Sequence, residues 1–299
     1  MHKRSKGLGI PYMGSKRKLA PKIINYILKE NPNAKYFYDL FGGGGAVSFE
    51  AVQRPQFKKV FYNELNSGVV SMLKDIMENG VNEKYYEWIS REDFHNYKDG
   101  DDWKGGVCKT CWSFGSDQRS YMFSADIEND KRLLHNFVVD NCIESLNEFN
   151  SKFNINIREN EGLFIENISQ KRLRVAADIR AKLNSRGGEL QRLQQLQQLQ
   201  RLQQLQISNL SYDKVNIETD ISETILYLDP PYANTEEYAE KFDIKKMYEY
   251  IEKSKYKIYM SGYESHLDSV FEMEHSSSLS ATNNNKKVIE KLFLYNPVV

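Results

Sequence analysis

Apolar residues recur at helical spacing through Leu19, Ile23, Ile24, Ile27 and Leu28, which predicts a helix from Lys18 to Lys29. Ser15 is its expected N-cap, and Pro21 is tolerated in a first turn. The run Tyr36-Phe37-Tyr38-Asp39-Leu40-Phe41 then reads as a strand. It leads straight into Gly42-Gly43-Gly44-Gly45, after which Ala46-Val47-Ser48-Phe49 opens another helix. Val60-Phe61-Tyr62-Asn63 is a second strand ending in Glu64, and Ser67 is placed to cap a helix reaching about Asn79. Strands alternating with helices in this way open a parallel α/β sheet.

The alternation lapses between about residues 81 and 206, a stretch rich in Asn, Asp, aromatic and basic residues. It resumes at Thr224, where the buried-strand pattern Ile225-Leu226-Tyr227-Leu228 runs into Asp229-Pro230-Pro231-Tyr232. A helix over about 244–253, a strand Lys257–Ser261, a turn at Asn283–Asn285 and a last strand Lys287–Tyr295 follow. The middle third is therefore expected to be inserted between two halves of one sheet. Within it, Leu190, Leu193, Leu196, Leu199, Leu202 and Leu205 recur every third residue. Three residues rotate a helix by about 300°, so these leucines spiral around the cylinder instead of forming one seam. A helix here needs apolar partners on several sides, and a second copy of the chain is one such partner. The alternative is a repeat expansion with little function.

The 299 residues carry 41 basic and 41 acidic side chains, so the chain is no general polycation. Its charge is nevertheless uneven. Nine basic residues and one acid, Glu30, lie between Met1 and Lys35, and a second basic stretch spans Lys171, Arg172, Arg174, Arg180, Lys182 and Arg186. Two basic segments in a neutral chain suit a polyanion groove; solvated faces are the plainer reading. No apolar run approaches membrane-spanning length, and no signal-peptide pattern opens the sequence. Three cysteines are too few for a disulfide framework, and a cytoplasmic setting is expected.

The chemistry gathers where strands are expected to end. In an open α/β sheet that edge binds ligands. Asp39 closes the first strand, the glycine run lets backbone approach a ligand, and Glu64 closes the second strand, where an acid typically binds ribose hydroxyls. The glycines lack G-x-G-x-x-G spacing, because position 47 is Val47. This favours a ligand with a single nucleoside, such as S-adenosylmethionine, over a pyrophosphate. Asp229 can accept a hydrogen bond from an exocyclic amino group, the stiffened Pro230 carbonyl can aim at the same group, and Tyr232 offers a stacking face. An ordinary strand-to-loop turn is the competing reading of this tetrapeptide.

Gly14-Ser15-Lys16, Asp39-Leu40-Phe41 with its four glycines, Asn63-Glu64-Leu65-Asn66 and Asp229-Pro230-Pro231-Tyr232 resemble, in order, the motifs of Dam-type (D12 class, α group) DNA adenine-N6 methyltransferases. Ile207–Tyr212, Phe242-Asp243 and Glu290–Asn296 are similar in smaller ways. The resemblance spans residues 9–80 and 207–296. It implies a Rossmann-like S-adenosylmethionine-dependent methyltransferase sheet (1–80 and 207–299) with an inserted, mainly helical target-recognition region (81–206). It also implies methyl transfer to N6 of an adenine flipped out of a specific double-stranded DNA sequence.

By family match, Asp229, Pro230 and Tyr232 would be catalytic, and Tyr12, Lys16, Asp39, Gly42, Glu64 and Asp229 would contact the cofactor. Tyr212 is the adenine-pocket candidate; Ser211 stands where some relatives carry an acid. Arg119, in the aromatic stretch Trp112–Tyr121, suits a DNA-reading loop, and Arg172 suits phosphates. A core hairpin is the alternative for that aromatic stretch. Double-stranded DNA is the expected partner, a cognate restriction endonuclease and self-association through the Leu/Gln repeat are compatible with it, and DNA would hold the protein at the nucleoid. Methylation of cytosine N4 or of glutamine, and an inactive DNA-binding relative, remain as alternatives. Cys108-Lys109-Thr110-Cys111 has zinc-like spacing but lacks two further ligands, so reduced, partly buried thiols and no metal are expected.

Overall fold

The computed structural model describes residues 8–157, 175, 189–196, 205–231, 242–276 and 287–297. Contacts divide the chain into two compact units, one of residues 1–10, 14–70 and 202–299 and one of residues 11–13 and 71–201.

The first unit is built on a seven-stranded sheet ordered β3-β2-β1-β4-β5-β7-β6. Its strands are β1 (Tyr36–Asp39), β2 (Lys59–Asn63), β3 (Leu205–Ser208), β4 (Thr224–Leu228), β5 (Lys257–Gly262), β6 (Asp268–Ser276) and β7 (Lys287–Tyr295). Strands β1 to β5 pair in parallel, whereas β7 runs antiparallel to both β5 and β6. Helix α1 (Ala20–Glu30) precedes β1, α2 (Ala46–Val52) follows it, and α3 (Ser67–Asn79) starts after β2. Strand β4 is buried along its whole length, as a parallel strand covered on both faces must be. One face carries Tyr38, Leu40, Leu226, Leu228, Ile258 and Met260 against Met247 and Ile251 of the helix Ile244–Glu252. The other face carries Phe37 and Tyr227, whose rings stack 5.9 Å apart. Each such buried side chain contributes about 1.5–3 kcal/mol.

The structure corrects two helix starts. Helix α1 begins at Ala20 with Leu19 in the cap position, not at Lys18 behind Ser15. The amides of Leu19 and Ala20 both donate to the Lys16 carbonyl at 2.7 Å, closing a turn that leaves Ser15 outside the helix. For α3 the cap is Asn66, whose Oδ1 accepts from the Val69 amide at 3.2 Å, and not Ser67. Strands β3 and β6 were not expected from the sequence pattern.

The described elements of the second unit are helical. Helices α4 (Arg91–Tyr97), α5 (Trp103–Cys111), α6 (Ala125–Asp140) and α7 (Ile143–Phe153) precede a helix at Glu189–Leu196. Its core is aromatic. Trp88 lies 4.9 Å from Trp112 and 5.9 Å from Phe123, and His135 packs 5.3 Å from Trp88. His135 contacts Glu189 at 3.1 Å and the Tyr86 carbonyl at 2.7 Å, tying the late helix to the early one. Leu193 and Leu196 of the repeat are buried in this unit. The remainder of the repeat from residue 197 to 204, the basic stretch 171–186 apart from Val175, and the turn Asn283–Asn285 lie outside the described residues. Cys108 and Cys111 are buried on α5, where burial pushes both thiols up to about 12 and keeps them protonated. Among the described residues no helix is long and apolar enough to cross a membrane.

Asn63 joins three parts of the sheet. Its Nδ2 donates to the carbonyls of Leu40 and Leu210 at 3.1 and 2.9 Å. Its Oδ1 accepts from the Leu210 amide at 3.1 Å and the Ser208 hydroxyl at 2.8 Å. Asn63→Ala strands buried polar partners and is expected to destabilise the protein by roughly 2–4 kcal/mol. A lowered urea midpoint at unchanged slope is the measurement that checks this.

Candidate active site

Strands β2, β1 and β4 lie side by side and parallel, so their carboxyl ends share one edge. After β1 the sheet first grows toward β2 and later toward β4, which makes that edge a topological switch point. Three carboxylates stand there: Asp39 ends β1, Glu64 follows β2 and Asp229 follows β4.

Asp39 is 2% exposed. Its Oδ2 accepts from the Ser48 hydroxyl at 2.7 Å, while its buried Oδ1 has no hydrogen-bond partner among the described residues. Burial pushes this carboxyl up to about 7, against the opposing pull of Ser48. A buried oxygen left this way suits a donor supplied by a ligand, a cationic one above all. Glu64 is also buried, and its two oxygens accept the amides of Gly43 and Asn66, each at 2.8 Å.

The glycine run serves its own packing first. A Cβ on Gly42 would overlap the Tyr62 ring, and the Tyr62 hydroxyl donates to the Gly43 carbonyl at 2.8 Å. The smallness of Gly42 thus lets β2 support the loop from beneath.

Lys16 is 5% exposed and lies 2.9 Å from Asp229 and 3.2 Å from Glu290 of β7. It also donates to the Gly14 carbonyl at 3.3 Å. Its three ammonium hydrogens therefore face three acceptors. Gly14 holds φ at +74°, which frames this loop with a residue free to adopt it. Burial alone would lower the Lys16 ammonium, but the two carboxylates hold it above its ordinary value. At Asp229 burial pushes the carboxyl up to about 6, with Lys16 pulling down and Glu290 pushing up.

The remaining expected residues are placed as follows. Pro230 is buried beside Asp229, and Tyr232 lies outside the described residues. Tyr212 is nearly buried and stacks 5.1 Å from Phe41, with its buried hydroxyl lacking a hydrogen-bond partner among the described residues. Tyr12 is half-buried and groups with the second unit. Arg172 lies outside the described residues.

Arg119 is exposed at the tip of a short hairpin in the second unit. That hairpin is closed by the Ser113–Tyr121 bridge and by the Phe114 amide donating to Ser120. Its base, Trp112 and Tyr121, is core, as the hairpin alternative held, whereas Phe114 at the tip is 66% exposed. Two residues were missed. Glu290, an acid on the same strand face as buried Leu292, is signalled by that parity. Leu65, 72% exposed beside Glu64, is signalled only by being apolar in a loop.

A sequence model of D12 class N6 adenine-specific DNA methyltransferases matches residues 12–102 and 121–294. The chain belongs to this family. The family's enzymes methylate adenine N6 in DNA, so cytosine N4 and glutamine fall away as targets. The seven-stranded sheet is the family's Rossmann-like methyltransferase fold. No curated protein matches the chain. Residues 103–120, which include Phe114 and Arg119, fall outside the family match.

The Asp39 carboxyl fixes a pH prediction for the ligand-free protein. An acid raised on folding binds more protons folded than unfolded between its two values, so it costs stability progressively as pH rises from about 4 to 7. A rise from 3.8 to about 7 amounts to at most roughly 4 kcal/mol. Asp39→Asn removes that cost. Relative to wild type, its stability is expected to improve between pH 4 and pH 8, by chemical denaturation at the two values.

Proposed function

We propose that this enzyme transfers the methyl group of S-adenosylmethionine to N6 of an adenine flipped out of a specific double-stranded DNA sequence. The observation that carries this reading is the trio Asp39, Glu64 and Asp229 on three adjacent parallel strand ends, with Asp229 opening Asp-Pro-Pro-Tyr.

The residues present suit the cofactor. Asp39 Oδ1 can accept from its amino group or face its positive charge, Glu64 can accept from ribose hydroxyls, and the exposed Leu65 offers an apolar surface to a purine. Gly42 backbone, Lys16 and Tyr12 complete the proposed cofactor set. When bound, the sulfonium supplies an electrophilic methyl carbon. Asp229, ionised above about pH 6, accepts one N6 hydrogen and the Pro230 carbonyl accepts the other. Held this way, the nitrogen lone pair turns out of ring conjugation and becomes nucleophilic. The hydrogen bonds strengthen as positive charge develops on nitrogen, which is the differential binding that catalysis requires. Tyr232 is assigned by its sequence position to stack on the flipped base, and Tyr212, stacked on Phe41, to support that pocket.

The second unit is assigned to target recognition. Its hairpin tip combines exposed Phe114, suited to wedge into a base stack, with Arg119, suited to a guanine edge. Positive φ angles at Gly115, Ser116 and Gln118 shape the tip, and Asp117 ties back the amides of Arg119 and Ser120 at 2.9 and 3.0 Å. This stretch lies outside the family match, so its role is assigned from its own geometry.

Transfer of radiolabelled methyl to unmethylated DNA, with N6-methyladenine as product, tests the main reading; tight S-adenosylmethionine binding without transfer to any DNA sinks it. Asp229→Ala is expected to abolish transfer while DNA is still retained. Phe114→Ala and Arg119→Ala are expected to leave cofactor affinity unchanged but to cut discrimination between target and non-target DNA about tenfold or more, read by sequencing methylated sites.

A further inference from the structure

We infer that Glu290 is a positioning residue for methyl transfer, receiving the Lys16 ammonium when the Asp229 carboxylate turns to the N6 amino group. The inference rests on the role proposed for Asp229.

The two carboxylates that share Lys16 are placed differently. Glu290 sits inside β7, hydrogen-bonded between β5 and β6, with register partner Met273 on β6, and is 2% exposed. It is fixed by the ladder and has no route to a ligand. Asp229 stands past the end of β4, is 20% exposed and faces the edge where the substrate amine must arrive. Lys16 lies nearly equidistant between them, at 2.9 and 3.2 Å, on a loop opened by Gly14. A small displacement therefore exchanges its main partner.

Electrostatics explain why the exchange is needed. An Asp229 held by Lys16 alone would meet the N6 amine with Oδ1 already committed in a poorly solvated site, and the amine would compete with a full positive charge. Stripping Lys16 of its partner instead would leave a buried unpaired ammonium, which is strongly unfavourable. Glu290 removes that dilemma by keeping the ammonium neutralised throughout. The trio carries one net negative charge, which favours a hydrogen-bond donor approaching Asp229. Among the described residues, the other groups facing Asp229 are Asp39 on β1, Tyr227 on β4 and Tyr263 after β5. Both phenols are raised by burial and stay neutral. Charge around Asp229 is thus set by Lys16, Glu290 and Asp39.

Single-turnover transfer from radiolabelled S-adenosylmethionine, at saturating cofactor and unmethylated duplex DNA, tests this across pH 5–9. Wild type should lose rate as pH falls through about 6, where Asp229 takes up a proton. Glu290 raises that value, so Glu290→Gln should move the acid limb to lower pH. It should also cut the plateau rate about tenfold or more, because Lys16 then stays on Asp229. Glu290→Asp keeps the charge and should hold the limb near its wild-type position. A Glu290→Gln enzyme with wild-type plateau and limb overturns the inference. So does an equal loss of rate in both variants with the limb unmoved, the signature of a merely structural role. If Glu290→Gln does not fold, Glu290→Asp carries the test: a plateau lowered at unchanged S-adenosylmethionine affinity is expected, and an unchanged plateau, or plateau and affinity lowered together, overturns it. Asp229→Asn separates the two levels. It should give no transfer at any pH, and substantial transfer by it refutes the Asp229 role itself, whatever Glu290 variants do.

Discussion

Burying negative charge at the carboxyl edge of the sheet is the constraint around which the catalytic unit is arranged. Asp39, Glu64 and Glu290 are each less than a tenth exposed, and Asp229 is only partly open. Each would be untenable alone in a medium this poorly solvated. The fold answers each differently. Glu64 is met by two backbone amides, Asp39 by one hydroxyl and a displaced protonation, and Asp229 and Glu290 by one shared ammonium. Loops that appear merely connective, Gly14–Lys16 and Gly42–Gly45, are held by these same contacts. Folding of the edge and readiness for chemistry are therefore one problem.

Much of the catalytic half was legible because its signals are local. A buried parallel strand announces itself by an apolar run, and β1, β2, β4 and β5 do; antiparallel β7 shows itself by Leu292-Phe293-Leu294-Tyr295. Strand β3 escaped because its Leu205 continues the three-residue leucine spacing and two of its other three residues, Gln206 and Ser208, are polar. Strand β6 escaped because Glu272 and Glu274 interrupt it, although Phe271 and Met273 alternate with them toward the inside. That is the pattern of a sheet edge with one wet face. The start of α1 slipped by two residues because a carbonyl–amide turn such as the one at Lys16 leaves no side-chain mark, and that of α3 by one because Asn66 and Ser67 are both capping residue types.

Site residues were legible where identity and position coincide, as with an acid at a strand end. Partnership was not. Nothing local says that Lys16, in the most basic segment of the chain, is a buried cation paired with two carboxylates. Its partners lie more than two hundred residues away. The glycine run shows the complementary limit: sequence suggested room for a ligand, while Gly42 first answers the ring of Tyr62. In the second unit, aromatic residues marked a functional stretch, yet only burial sorts Trp112 and Tyr121 into core and Phe114 into surface.

The unusual acidity of Asp39 has a thermodynamic corollary. At a value of about 7 the ligand-free enzyme holds a proton on this side chain for much of its neutral population. A cationic ligand drawn to the same oxygen must evict that proton, so loading the enzyme doubles as an acid-release reaction. Its heat should then track the ionisation enthalpy of whichever buffer receives the proton. The apparent affinity should climb as the medium turns alkaline and level off once the site is already bare. Under the role proposed for Asp39, ambient acidity competes with the ligand for one buried oxygen.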